Sequence, residues 1–182
     1  MKKCVSLLLC LILLCGTGVT AGEGMDGEAV LTGMWAYLEE GYATLAADMR
    51  YEKTDTLINF YYGSDILASA MFNRFNASTG APEDGPVNQV TVVFLISDPS
   101  NETQVNAILL CYGILSGCLK KVFYPETPLT ECTDAQLANI RAAAGSETGS
   151  CSEEADGYRQ TYSVMSSGMV FLTYQVLALD TE

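Results

Sequence analysis

The 182-residue chain contains no histidine. This removes the side chain that most often acts as a general base near neutral pH, and with it the commonest zinc ligand. Basic residues are also scarce: 9 Lys and Arg stand against 22 Asp and Glu, a formal charge of −13. A surface this acidic repels phosphate backbones, which argues against nucleic acid as a partner. There is no Cys-x-x-Cys pair, so a thioredoxin-like redox role has no support. Ser166-Ser167-Gly168 lacks the Gly-x-Ser-x-Gly form of a nucleophile elbow. The carboxylates lack the alternating spacing of an EF-hand loop. No internal repeat recurs at a fixed period. The sequence therefore names no catalytic, cofactor-binding or metal-ligating residue, and no cofactor is expected.

The beginning of the chain is more informative. Lys2 and Lys3 form a positive start, Val5–Leu14 is an apolar run, and Gly16-Thr17-Gly18 breaks it before Val19-Thr20-Ala21. This is the pattern of a secretory signal peptide over residues 1–21, cleaved after Ala21. The apolar run is shorter than the roughly 20 residues that span a bilayer. A lipid anchor at Cys15 is the weaker alternative, because Leu14 stands where a small residue is wanted. The expectation is a secreted or extracytoplasmic protein, at the cell envelope or beyond it. Removing residues 1–21 leaves 161, enough for one domain over 29–182 with its own core. Loss of Lys2 and Lys3 takes the charge from −13 to −15. Residues 22–28, glycine-rich and acidic, read as a flexible lead-in.

Within the domain, Val30, Leu31, Met34, Trp35, Leu38, Tyr42, Leu45 and Met49 recur at helical spacing, predicting one amphipathic helix. Thr56–Tyr62 is β-branched and aromatic, a strand. Gly63-Ser64-Asp65 is a turn. Ile66–Phe75 fits either a strand or a helix, and the hairpin it would complete favours strand. Residues 76–86 form a loop. Val87–Ser97 is the clearest strand, apolar on both faces in its later half, which predicts a central place in the sheet. Glu102–Phe123 is a helix capped by Ser100 or Asn101, with Lys120 and Lys121 favourable in its last turn. A second helix is expected over 133–144 with Cys132 or Thr133 near its cap. Residues 145–157 read as a polar loop, and Tyr158–Ser166 with Met169–Leu179 as a hairpin. The order α-β-β-β-α-α-β-β predicts an α+β fold, an antiparallel sheet of about five strands with helices packed on one face.

Four cysteines lie outside the signal, Cys111, Cys118, Cys132 and Cys151. In an exported chain two disulfides are the default. Seven residues of helix separate Cys111 from Cys118 by about 10.5 Å, beyond disulfide reach. A helical hairpin then favours Cys118–Cys132 with Cys111–Cys151. Buried, free thiols are the alternative. Gly113 and Gly117, one turn apart, would mark a helix dimer in a membrane. The apolar Val105–Leu119 stretch is too short to span one, so a buried helix close to the sheet is expected and no transmembrane segment in the mature chain. Asn76 and Asn101 each head a glycosylation sequon but serve equally as turn and cap residues. The acidic groups Glu83/Asp84 and Glu153/Glu154/Asp156 read as solvated faces. Trp35 is expected in the core. Together these features predict an exported, non-enzymatic domain whose partner is a macromolecule, a protein first of all. The alternative is an extracytoplasmic hydrolase using a carboxylate pair, which converges in space and leaves no sequence motif.

Overall fold

The computed structural model describes residues 26–54, 57–74 and 86–179. The signal peptide, Cys15, residues 22–25, the Asn76 sequon and the Glu83/Asp84 pair lie outside them.

Asp26 caps the first helix: its carboxylate accepts from the Glu28 and Ala29 backbone N–H groups at 2.9 and 3.4 Å. Helix α1 is Gly27–Gly41, so the last residues of the expected lead-in are a cap and a first turn. Val30, Leu31, Met34 and Leu38 form its buried stripe. The single helix expected out to Met49 is interrupted. Tyr42 leaves helical geometry, a short α2 (Ala43–Ala47) follows, and Met49 opens a strand. Periodicity could not show the break, because Tyr42, Leu45 and Met49 keep spacings of three and four across it.

The strands are β1 (Met49–Lys53), β2 (Ile58–Tyr62), β3 (Asp65–Asn73), β4 (Gln89–Ile96), β5 (Ser150–Ala155), β6 (Tyr158–Ser166) and β7 (Val170–Ala178). They form one antiparallel sheet in the order β1-β2-β3-β4-β7-β6-β5. The fold is α+β as expected, with seven strands rather than about five. The two additions are the edges: β1, of which only Met49 fell within the expected helix, and β5, which lies in the expected polar loop. β4 is the middle strand, with Val92 and Phe94 buried. The segment after the Gly63-Ser64 turn is strand. Gly63, at φ 59°, takes the left-handed position that this two-residue hairpin loop needs. The β5–β6 hairpin turns on Asp156-Gly157, both at positive φ (51° and 79°), the pair of conformations that favours Asp-Gly.

Between β4 and β5 the chain makes two helices, α3 (Glu102–Phe123) and α4 (Leu129–Gly145). Asn101 caps α3 by accepting from the Gln104 N–H at 3.1 Å, which is the cap role anticipated for it. Lys120 and Lys121 lie in the last turn as expected. α4 begins at Leu129, a turn earlier than expected, with Pro128 before it, so Cys132 and Thr133 are inside the helix. With 22 residues, α3 is long and apolar enough to cross a membrane by length and composition. In the structure its second half, Tyr112–Leu119, is wholly inside the core. The glycines serve a different neighbour from the one anticipated. A Cβ on Gly113 would sit 2.8 Å from Leu137, and one on Gly117 would sit 2.9 Å from the Thr133 Cα. They admit α4, not the sheet. The core lies between the helices and one sheet face, built from Leu31, Met34, Leu38, Leu115, Leu119 and Ile140 against Phe60, Val90, Val92, Phe94, Leu172 and Val176.

Candidate functional site

Each strand has a second face, and alternate residues define it. The registers align those residues into rows across the sheet. One row is Leu95–Phe171–Met165. The next is Ser69–Val93–Thr173–Ser163–Ser150, followed by Met71–Thr91–Gln175–Thr161–Ser152. A fourth is Asn73–Gln89–Leu177–Arg159–Glu154. The face is thus apolar at one end, rich in hydroxyls and amides in the middle, and charged at one corner. Its polar groups pair across strands. Ser69 donates to Asn59 at 2.7 Å, Ser150 meets Ser163 at 3.1 Å, Ser152 meets Thr161 at 3.0 Å, and Arg159 donates to Glu154 at 2.6 Å. Gln175 and Gln89 both donate to the Thr91 hydroxyl, at 3.4 and 3.2 Å. The buried Thr173 Oγ1 has no protein partner. Among the described residues the helices bury their apolar stripes on the other face, in the cluster that holds Val92 and Phe94. Even so much of the face is shielded, Thr91 in the middle to 2 % and Phe171 in the apolar row to 4 % exposure, while Leu95 and Met165 on either side of Phe171 are open at 37 % and 44 %.

A second polar cluster lies on the helix side, where α3 and α4 cross β6 and β7. Tyr162 and Tyr174 are directly paired, their rings 5.3 Å apart. Tyr174 donates to Gln160 Oε1 at 2.6 Å, and Tyr162 to Glu153 at 2.8 Å. The Gln160 amide donates to the Tyr124 hydroxyl at 2.9 Å, which donates to the Ala155 carbonyl at 3.0 Å. Lys120 donates to Glu153 at 2.7 Å. Burial pushes the Tyr112, Tyr162 and Tyr174 hydroxyls well above their ordinary range and Tyr124 up to about 12. All four stay neutral, and Tyr124, Tyr162 and Tyr174 act as hydrogen-bond donors. Burial alone would raise the Glu153 carboxyl, but the hydrogen bonds from Lys120 and Tyr162 outweigh it and hold the group below its usual value. The Glu153/Glu154/Asp156 group, expected as a solvated loop, is instead part of β5 and its hairpin turn.

An open cleft of about 540 Å³ lies at the α1–α2 break, lined by Glu40, Tyr42, Thr44, Leu45, Asp48 and Tyr62 among others. It is acidic, and most of its lining is exposed. Trp35 is half-buried rather than central, its ring edge-on to Tyr51 at 5.0 Å and its N–H donated to Glu39 at 2.9 Å.

The four cysteines are free thiols in the structure, so neither Cys118–Cys132 nor Cys111–Cys151 is bonded. The hairpin does bring Cys118 and Cys132 to the same end. Cys132 is near enough to act on the Cys118 thiol electrostatically, although the two are not bonded. Gly117 points at Thr133 of α4, and Cys118 is about 100° further round the helix. Val122, one turn on from Cys118, meets Gly33 of α1. Cys118, and Cys111 two turns back, therefore lie on the α1 side. Cys151 lies beyond α4, its thiol donating to the Asn139 carbonyl at 3.3 Å. Burial holds Cys118 up to about 12 and raises the other three, so these thiols are poor nucleophiles. No group of three or more potential ligands gathers for a metal among the described residues. Of the residues singled out by sequence, the structure brings Glu153 together with the tyrosines. The second-face rows were missed, although Thr161/Ser163 and Thr173/Gln175 alternate visibly along their strands.

No family model, no curated protein and no solved structure matches the chain.

Proposed function

We propose that the chain is an exported, non-enzymatic domain that binds another protein on the second face of its sheet. The observation that carries this reading is the set of rows described above. An apolar row with open ends at Leu95 and Met165 adjoins cross-strand hydroxyl pairs, and no described helix lies over them. Such a surface can bury aliphatic side chains of a partner while Ser152 and Thr161 exchange hydrogen bonds with its backbone. The acidic charge of the chain favours solubility outside the cell. Hydrolysis by a carboxylate pair would ask for one acid raised toward neutral pH. Among the described residues, the two carboxyls whose proton affinity is perturbed, Asp98 and Glu153, are both lowered.

Photo-crosslinking tests the reading. A photoreactive residue placed at Met165 should form protein adducts in the native envelope or medium. The same residue at Leu110, exposed on α3, should not. Equal labelling at both sites, or adducts only at Leu110, would sink the assignment. Introducing Leu95→Glu together with Met165→Glu should abolish the adducts and leave the fold intact, since both side chains are open.

A further inference from the structure

The open cleft of about 540 Å³ at the α1–α2 break combines two carboxylates, Glu40 and Asp48, with two tyrosines, Tyr42 and Tyr62, and with Leu45. The carboxylates stand where a helix disfavours them. Glu40 is in the last turn of α1, which holds no basic residue, and Asp48 is the C-terminal cap of α2. A helix C-terminus carries partial negative charge and favours a cation. α3 obeys this rule with Lys120 and Lys121. α1 breaks it, and local rules are broken where function outweighs stability.

The fold does not neutralise these two acids. Glu28, Glu52, Glu153 and Glu154 each meet a lysine or an arginine. Glu40 and Asp48 have no ion-pair partner among the described residues. Charge complementarity asks for a cation from outside. A divalent metal wants more ligands than two carboxylates supply, and no group of three potential ligands gathers among the described residues. Tyrosine rings suit an organic cation instead. Tyr62 is 48 % exposed, and its neighbour Tyr61 already holds Arg50, the guanidinium carbon 3.9 Å from the ring centroid. A guanidinium also presents a planar fork of donors that carboxylates accept. Because the cleft is open, a ligand in it stays half in solvent, as a side chain of a larger molecule does.

We propose that this cleft is a docking site for an arginine side chain presented by another protein. The Tyr62 ring takes the face of the guanidinium, Glu40 and Asp48 take its N–H groups, and Leu45 meets its aliphatic stem. The cleft is built by α1, α2 and the end of β2, so the inference stands apart from the Leu95–Met165 surface.

NMR titration of the unmodified protein with N-acetyl-arginine methylamide tests the site, with the citrulline analogue, neutral and of similar shape, as the control. Arginine should cause saturable shifts at Tyr62, Thr44 and Asp48, and citrulline should not. No saturable shift, equal shifts with both probes, or arginine shifts centred elsewhere on the acidic surface would overturn the proposal. Glu40→Gln with Asp48→Asn should weaken the arginine response by about tenfold. Glu126→Gln with Glu147→Gln removes the same charge outside the cleft and should leave the response unchanged. Equal weakening by the two pairs would reduce the effect to general attraction and overturn the site. All four side chains are exposed, so none of these changes touches the core.

Discussion

The two faces of this sheet are made by the same strands and differ in every other respect. Toward the helices, Val90, Val92, Phe94, Leu172 and Val176 make a continuous apolar surface, and the tyrosines set in it engage their hydroxyls in a closed network. One residue along each strand, the other face carries Thr91, Val93, Thr173 and Gln175, joined by single cross-strand contacts. The first face is fixed by its neighbours: every side chain has a shape to fill. The second is not covered by the described helices, yet Thr91, Val93, Thr173 and Gln175 are buried there too, and its open positions are Leu95 and Met165 at the apolar end. Stability resides in one face and recognition is assigned to the other.

Adjacent substitutions break or sharpen that contrast. The largest expected effect is at Phe94, which is wholly buried against Tyr112. Phe94→Ala should cost about 3–5 kcal/mol in urea unfolding, whereas Leu95→Ala, next to it on the open end of the other face, should cost less than about 1 kcal/mol. Comparable losses would mean that the second face is a core in its own right. Next is the helix layer that closes the first face. Gly117→Ala places a methyl 2.9 Å from the Thr133 Cα, where only backbone can give way. Despite the better helix propensity of Ala by about 1 kcal/mol, a net loss of about 1–3 kcal/mol is expected from forced separation of α3 and α4. A stabilised variant would show that the two helices are not packed as described.

Smaller still is the contrast between Thr173 and Tyr174. Tyr174→Phe removes a donor from Gln160 and should lower stability by about 1 kcal/mol; Thr173→Val removes a buried hydroxyl that no protein group satisfies and should be neutral or slightly stabilising. The smallest effect is on acid sensitivity. The folded Glu153 carboxyl is lowered from 4.5, so its contribution is present above that ordinary value and is lost as pH falls through the lowered one. Its side chain is 42 % exposed, so the contribution is under about 1 kcal/mol. Urea midpoints of Glu153→Gln and the parent should differ near neutral pH and converge in acid. A gap that widens in acid would mean that Glu153 is raised instead.

What could be read in advance follows from where each signal resides. β4 announces itself because its later half, from Val92 to Ile96, is apolar on both faces, and α3 because its cap, apolar body and terminal lysines agree. The edge strands do not. β1 is Met49-Arg50-Tyr51-Glu52-Lys53, with every residue after the first exposed, and a strand that buries one side chain leaves almost no hydrophobic period. β5 is as polar, and only the Asp156-Gly157 pair signalled its hairpin. The candidate face was hidden for a related reason. Thr161, Ser163, Thr173 and Gln175 alternate in the sequence, but only the β6–β7 and β4–β7 registers set them beside Val93 and Thr91. The cysteines show the limit of spacing arguments: the shared end of the hairpin for Cys118 and Cys132 was legible, but spacing alone does not decide whether two neighbouring thiols bond.

The place of β7 in the sheet has a consequence for how the molecule assembles. It follows every other strand in the chain, yet it lies inside the sheet, flanked by β4 and β6. During synthesis β1–β4 can zip together as a local meander, but the edge of β4, with its Val-Thr-Val-Val-Phe-Leu-Ile run, stays open until Val170–Ala178 has emerged. That edge is the most adhesive stretch of backbone among the described strands, and during the wait a second chain can pair with it as well as β7 can. The late arrival of an interior strand thus leaves the β4 edge open to pairing with another chain until β7 docks.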